Sequence, residues 1–161
     1  LAHFTVVKRF TLLLATGFGL GLSPIASGTV GTLLGVALVT ATWSVSLAGQ
    51  IGIAVAGVLL TLPICNVAEQ HFGVKDDGRI VADEYLTFPL CMVGLPLEPW
   101  VLVMAFLSHR VLDIIKPPPA RGAQNWAGGL GVAADDWFSS LYSLAANHAM
   151  YYVVVRVFFP Q

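Results

Sequence analysis

Between Arg9 and Glu69 the chain carries no Asp, Glu, Lys, Arg or His. A charge-free stretch of that length is long enough for two membrane spans of roughly 20 residues each. It constrains the fold more than any other feature. Only 11% of the residues are charged and 57% are hydrophobic, against about 25% charged in an ordinary soluble domain. The expected class is therefore all-α: a compact, membrane-embedded multi-helix bundle, a single domain over residues 1–161. The formal net charge of -1 excludes the broad positive field that nucleic-acid binding needs.

Periodicity and breakers divide the chain. Residues 4–20 read as a first apolar helix ending near Gly21 and Pro24. Lys8 and Arg9 before Phe10–Leu22 have the look of a secretory leader. The motif-like run Ser23 to Thr32 argues against a disposable segment. Thr32–Ser46 and Ile51–Gln70 read as two further helices, with Pro63 a kink point in the second. Gly73–Arg79 is a polar turn, and a helix is expected from about Ile80. Pro89, Gly94, Pro96 and Pro99 then force the chain to turn. This predicts a helical hairpin over about 80–116, whose second arm runs from Glu98 to Lys116 and is stopped by Pro117-Pro118-Pro119. Residues 120–131 read as a loop, and a long C-terminal helix is expected from near Asp135 to about Phe158.

Most charges fall into two short blocks, Glu69 to Glu84 and Arg110 to Asp136. The hairpin would return Arg110, Asp113 and Lys116 to the side of Asp83 and Glu84. Asp83 and Glu84, or Asp135 as a cap, could simply suit helix N-termini. Two acid pairs in so apolar a chain suggest more, because ionisable groups at membrane depth are by default functional. Converging carboxylates repel one another unless a cation joins them, and hard oxygen ligands suit Mg²⁺. Asp83, Glu84, Asp135 and Asp136, together with Glu69, are the candidate metal ligands.

Arg110, Asp113 and Lys116, spaced by three, share one helix face. They are the candidate catalytic residues. Arg110 and Lys116 make a phosphate grip, and Asp113 is placed to bind metal or orient water. Thr29 and Ser23, among glycines, could offer hydroxyl or backbone donors to the same anion. There is no GxxxxGK[ST] run, no Cys with an Arg six positions later and no DxDx[TV] run, so those phosphate chemistries are excluded. Cys65 and Cys91 sit singly in apolar stretches and read as buried thiols.

Four blocks of the sequence, in order, resemble one family. They are Ser23-Pro24-Ile25-Ala26-Ser27-Gly28-Thr29-Val30-Gly31-Thr32, Asp76 through Ile80-Val81 to Asp83-Glu84, Arg110-Val111-Leu112-Asp113-Ile114-Ile115-Lys116-Pro117, and Gly128-Gly129-Leu130-Gly131 with Asp135-Asp136. The family is phosphatidylglycerophosphatase A. The resemblance implies a Mg²⁺-dependent lipid phosphatase that converts phosphatidylglycerophosphate to phosphatidylglycerol and phosphate during phospholipid synthesis. It also implies a multi-pass enzyme of the bacterial inner membrane, with its site on the cytoplasmic side. Thr87, His109 and Ser139-Ser140 depart from the pattern, which has Gly, an aromatic and Ala-Gly at those places. Two alternatives are a membrane transporter or channel with an acidic ion site, and a non-catalytic scaffold. The first would need acids inside the spans, and these cluster at helix ends; the second leaves four acid/base motifs without a purpose.

Overall fold

The computed structural model describes residues 2–75, 77–123 and 125–158, with side chains from residue 6 onward. Asp76, the first acid of the second block, lies outside the described residues. The described residues are all helical, with no strand: α1 (Ala2–Ala15), α2 (Ser27–Thr42), α3 (Leu47–Phe72), α4 (Ala82–Thr87), α5 (Pro99–Ile115), α6 (Ala120–Ala123) and α7 (Gly129–Phe158), with 3-10 turns at Leu20–Leu22 and Phe88–Met92.

The short helix α4 lies at the centre, packed against α2, α3 and α7. Two glycine faces let longer helices close on it. A Cβ added at Gly35 of α2 would lie 2.6 Å from Phe88 Cβ, and one at Gly57 of α3 would strike the Leu86 carbonyl. Around α4, one apolar cluster gathers Ala15, Ile64, Cys65, Val81 and Tyr85. A second, beyond the 3-10 turn, gathers Val39, Trp43, Phe88, Met92 and Val101. Both cysteines are buried and free, as expected for packing thiols.

The expected hairpin forms with unequal arms. Its first arm is α4 plus the 3-10 turn, where Pro89 lacks the N–H that a further α-helical turn would use. Gly94, at φ 77°, turns the chain. The return arm α5 is tied back by an edge-on contact between the Phe88 and His109 rings, 5.7 Å between centroids.

Several boundaries differ from the sequence expectation. The first helix stops at Ala15, and Gly17, Phe18 and Gly19 all take positive φ. α2 starts five residues before Thr32, and α7 starts six before Asp135. In both cases glycines taken for loop punctuation lie in a helical first turn, where their lack of a side chain permits close contact. A Cβ on Gly129 would overlap the Asn66 backbone of α3. α3 runs through Pro63 without ending.

The charge-free stretch also resolves differently from two spans. Among the described helices only α3 is long and apolar enough to cross a bilayer. Its 26 residues measure about 39 Å, against a hydrocarbon core of about 30 Å. α2, at 16 residues, reaches only about 24 Å.

Candidate active site

One end of the bundle collects the start of α2, the C-terminal part of α3, all of α4, the end of α5 and the start of α7. Asp83 and Glu84 enter from the first turn of α4. Asp113 and Arg110 come from the last turns of α5, and Asp135 and Asp136 from α7. Asp83, Asp135 and Asp136 are buried, at 6%, 3% and 3% exposure.

The acids form two groups. Carboxylate oxygens of Asp83, Glu84 and Asp136 lie within 4.8 Å of one another, and so do those of Asp113, Asp135 and Asp136. Asp136 belongs to both. The two Asp-Glu and Asp-Asp pairs, far apart in sequence, therefore meet at one shared residue. Glu69 joins neither group. It is half-buried near the end of α3, its Oε2 3.9 Å from the position a Cβ on Gly128 would take.

Two basic residues border the acids. Arg110 Nη1 donates to Asp113 Oδ2 at 2.7 Å and to Thr32 Oγ1 at 3.5 Å. Its Nε is buried without a hydrogen-bond partner. Lys116 caps α5 in the left-handed region, φ 49°, a conformation that costs a non-glycine residue on the order of 1–2 kcal/mol. From there Nζ donates to Asp135 Oδ2 at 2.5 Å. Desolvation opposes the Lys116 charge, but Asp135 first, then Asp113 and Asp136, hold the ammonium above its ordinary range.

The acids outnumber these partners. Burial pushes the Glu84 carboxyl up to about 7; the charge of Asp113 adds to the rise, while Asp83 and Arg110 offset part of it. Burial, then Asp113 and Asp83, raise Asp136 well above the carboxylate range. A divalent cation fits what is present. The donors are hard carboxylate oxygens from three helices, and Glu84 Oε2 is buried with no hydrogen-bond partner. Asp83, Glu84 and Asp136 could hold one ion; Asp113, Asp135 and Asp136 could hold a second beside it.

The Ser23–Thr32 motif contributes differently from the expectation. Ser23 is engaged locally, its hydroxyl donating to the Ile25 carbonyl at 2.9 Å. Thr29 is half-buried in the first turn of α2. The glycines touch the acids instead. A Cβ on Gly28 would lie 2.5 Å from Glu84 Oε1 and 3.1 Å from Arg110 Nη1, and one on Gly31 would lie 3.0 Å from Glu84 Oε2. Thr32, one turn after Gly28 on the same face, reaches Arg110. It was not among the expected site residues and becomes legible once α2 is known to start at Ser27.

The departures from the family pattern are accommodated as polar pairs. Thr87 Oγ1 donates to the Asp83 carbonyl at 2.5 Å, and His109 Nε2 lies 3.2 Å from Ser140 Oγ.

Comparison with known proteins gives the family. Residues 13–151 match the family described as Phosphatidylglycerophosphatase A. The chain is 38% identical over 138 residues to Phosphatidylglycerophosphatase A of Escherichia coli strain K12, covering 81% of this chain and 77% of that protein. It is 32% identical over 148 residues to the Haemophilus influenzae Rd protein of the same name, covering 87% and 88%. It is also 31% identical over 140 residues, 82% and 87% of the two chains, to a Bacteroides thetaiotaomicron protein provisionally named a phosphatidylinositol-3-phosphatase. No solved structure matches.

Proposed function

The chain belongs to the phosphatidylglycerophosphatase A family and is a phosphoric monoester hydrolase; on that premise we propose that it hydrolyses phosphatidylglycerophosphate to phosphatidylglycerol and phosphate in a Mg²⁺-dependent reaction of phospholipid synthesis. The observation that carries the proposal is the pair of carboxylate groups sharing Asp136 directly beside Arg110 and Lys116. That is the donor set for a cation next to the donor set for a phosphate.

When bound, Mg²⁺ supplies charge neutralisation to the phosphate and lowers the pKa of water. The chain's own residues do the rest. Asp83, Glu84 and Asp136 would hold one ion, and Asp113, Asp135 and Asp136 would hold a second. Arg110 is oriented by Asp113 and Thr32, and its unpartnered Nε is a donor for a phosphate oxygen. Lys116 adds a point charge. Both offset the charge that develops on the phosphoryl oxygens in the transition state. Asp113, fixed by Arg110, orients the attacking water, which enters in line at phosphorus as the glycerol oxygen leaves. Thr29, in the first turn of α2, is a supporting hydroxyl, whereas the Ser23 hydroxyl is taken up by the Ile25 carbonyl. The setting we propose is the bacterial inner membrane, with the site on the cytoplasmic side. α3 crosses the bilayer, and the exposed leucines and valines of the bundle face lipid.

Purified protein in detergent is expected to release phosphate from phosphatidylglycerophosphate with Mg²⁺ and to stop when EDTA is added. Phosphatidylinositol 3-phosphate should be a poor substrate. Faster release from the inositol lipid would overturn the substrate, and activity undiminished in EDTA would overturn the metal.

The raised carboxyls add a pH prediction for the metal-free protein. Between about pH 4.5 and pH 7 folded Glu84 keeps a proton that the unfolded chain has released. Stability therefore falls as pH rises through that window, and Asp136 acts in the same sense. In EDTA the melting temperature should drop on the order of 5 °C between pH 5 and pH 7.5, and Mg²⁺ should flatten the curve. An equal slope with Mg²⁺ present would mean that the ion does not join these acids.

A further inference from the structure

A groove of about 350 Å³ runs along the outside of the bundle between α2 and α3, within the size range of built ligand sites. Leu34 and Leu38 form one wall, Leu60 and Ile64 the other, and Tyr85 and Leu86 of α4 the floor. Tyr85 is the one polar side chain that lines it, and its hydroxyl donates to the Leu14 carbonyl at 3.0 Å. The groove therefore offers a ligand almost no hydrogen bonding, which suits a hydrocarbon chain and excludes a polar ligand.

Its position relative to the carboxylates matters as much as its chemistry. The floor residue Tyr85 follows Glu84 directly. On α2, Gly31 faces Glu84 Oε2, and Leu34 and Leu38 follow it on the same side at three and seven residues. α2 begins at the site and α3 passes it at Cys65, close to Asp83 and Asp136, so Leu34 to Leu38 and Ile64 to Leu60 both lead away from it. The mouth is a strained loop. Phe18, 59% exposed, sits at φ 58°, where a bulky residue is rarely found. Beside it, a Cβ added to Gly17 would lie 3.2 Å from Leu34 Cδ2.

We propose that this groove binds one acyl chain of the lipid substrate while its phosphate lies at the carboxylate site. The inference rests on the lipid-phosphatase reading and adds a subsite to it. The acyl chain lies along α2, passing Leu34 and then Leu38. Its buried methylenes strengthen the binding of long-chain substrate, and a headgroup-only or very short-chain substrate gains nothing from them.

The test compares kcat/KM for a long-chain phosphatidylglycerophosphate and a water-soluble dibutyryl analogue in the same detergent. Leu38→Trp and Leu60→Trp fill the groove, and Leu60 is half-exposed, so the larger ring has room. Met104→Trp fills the separate apolar groove between α5 and α7 lined by Trp100, Met104 and Met150. The long-chain to short-chain ratio is expected to fall about tenfold in the first two variants, through KM, and to stay at the wild-type value in Met104→Trp. Unchanged release from the dibutyryl analogue shows that the site is intact. An unchanged ratio in both groove variants would overturn the proposal. So would an equal fall in Met104→Trp, which would make the effect one of general lipid contact. If the wild-type protein releases phosphate from neither substrate, the lipid-phosphatase reading fails, a result visible before any variant is made.

Discussion

Asp136→Asn is expected to lower phosphate release by a factor of at least about a thousand, more than any other single amide substitution among the acids. Asp136 alone belongs to both carboxylate groups. Asp83→Asn or Asp135→Asn weakens one group and leaves the other, so each should cost nearer a hundred-fold. Asn keeps the size and shape of Asp and removes only its charge. Stability should move the opposite way. Burial first, and then the charges of Asp113, Asp83, Asp135 and Glu84, push the Asp136 carboxyl up. Removing its charge relieves that repulsion. The metal-free variant at pH 7.5 should melt no lower than the metal-free wild type. Loss of activity with equal or better stability identifies a functional charge, whereas loss of both would mark a structural one. Near-normal turnover in both Asp83→Asn and Asp136→Asn would refute the assignment.

Gly28→Ala, a change of one methyl group, is expected to reduce kcat/KM about a hundred-fold, the scale of loss that a 1 Å misplacement of catalytic groups can cause. The new Cβ would fall 2.5 Å from Glu84 Oε1 and 3.1 Å from Arg110 Nη1. Both are ends of side chains, so they can move aside without unfolding the protein. In moving, Glu84 leaves its place beside Asp83 and Asp136, and Arg110 leaves Asp113. The melting temperature should therefore change little. Gly129→Ala makes the contrast, because its Cβ would meet backbone atoms of Asn66, which cannot yield without shifting α3 against α7. That variant should lose stability first. If Gly28→Ala kept full activity, the close approach of α2 to Glu84 would have no part in the chemistry.

The charged part of the site was legible in the sequence because charge is scarce here. In a chain that runs from Arg9 to Glu69 without an Asp, Glu, Lys, Arg or His, the residues Asp83, Glu84, Arg110, Asp113, Lys116, Asp135 and Asp136 stand out against their surroundings. The proline cluster that folds α5 back toward α4 was legible for a similar reason, since proline constrains the backbone locally. Glycine was the misleading residue. The same letters mark a loop or a helix face pressed against a neighbour, and only the neighbour decides. Gly28, Gly31 and Gly129, outside the expected helices, are helical with α4 and α3 lying against them, which no local pattern reveals. The sharing of Asp136 between two groups was hidden for a related reason, as it depends on the relative depth of α4, α5 and α7. Glu69 shows the reverse error: an acid in the right block of sequence, carried by α3 to a place outside both groups. Composition likewise indicated apolar length enough for two spans, but of the two helices expected there only the second is long enough to cross a bilayer.

The account depends on acids from three helices sharing a divalent ion beside Arg110 and Lys116. Replacing Mg²⁺ with Mn²⁺ and locating it by anomalous scattering in crystals of the wild-type protein tests that directly. The result predicted is a peak among Asp83, Glu84 and Asp136, with any second peak among Asp113, Asp135 and Asp136, and the loss of these peaks in Asp136→Asn. Manganese bound only at Glu69, or bound equally well after Asp136→Asn, would contradict it.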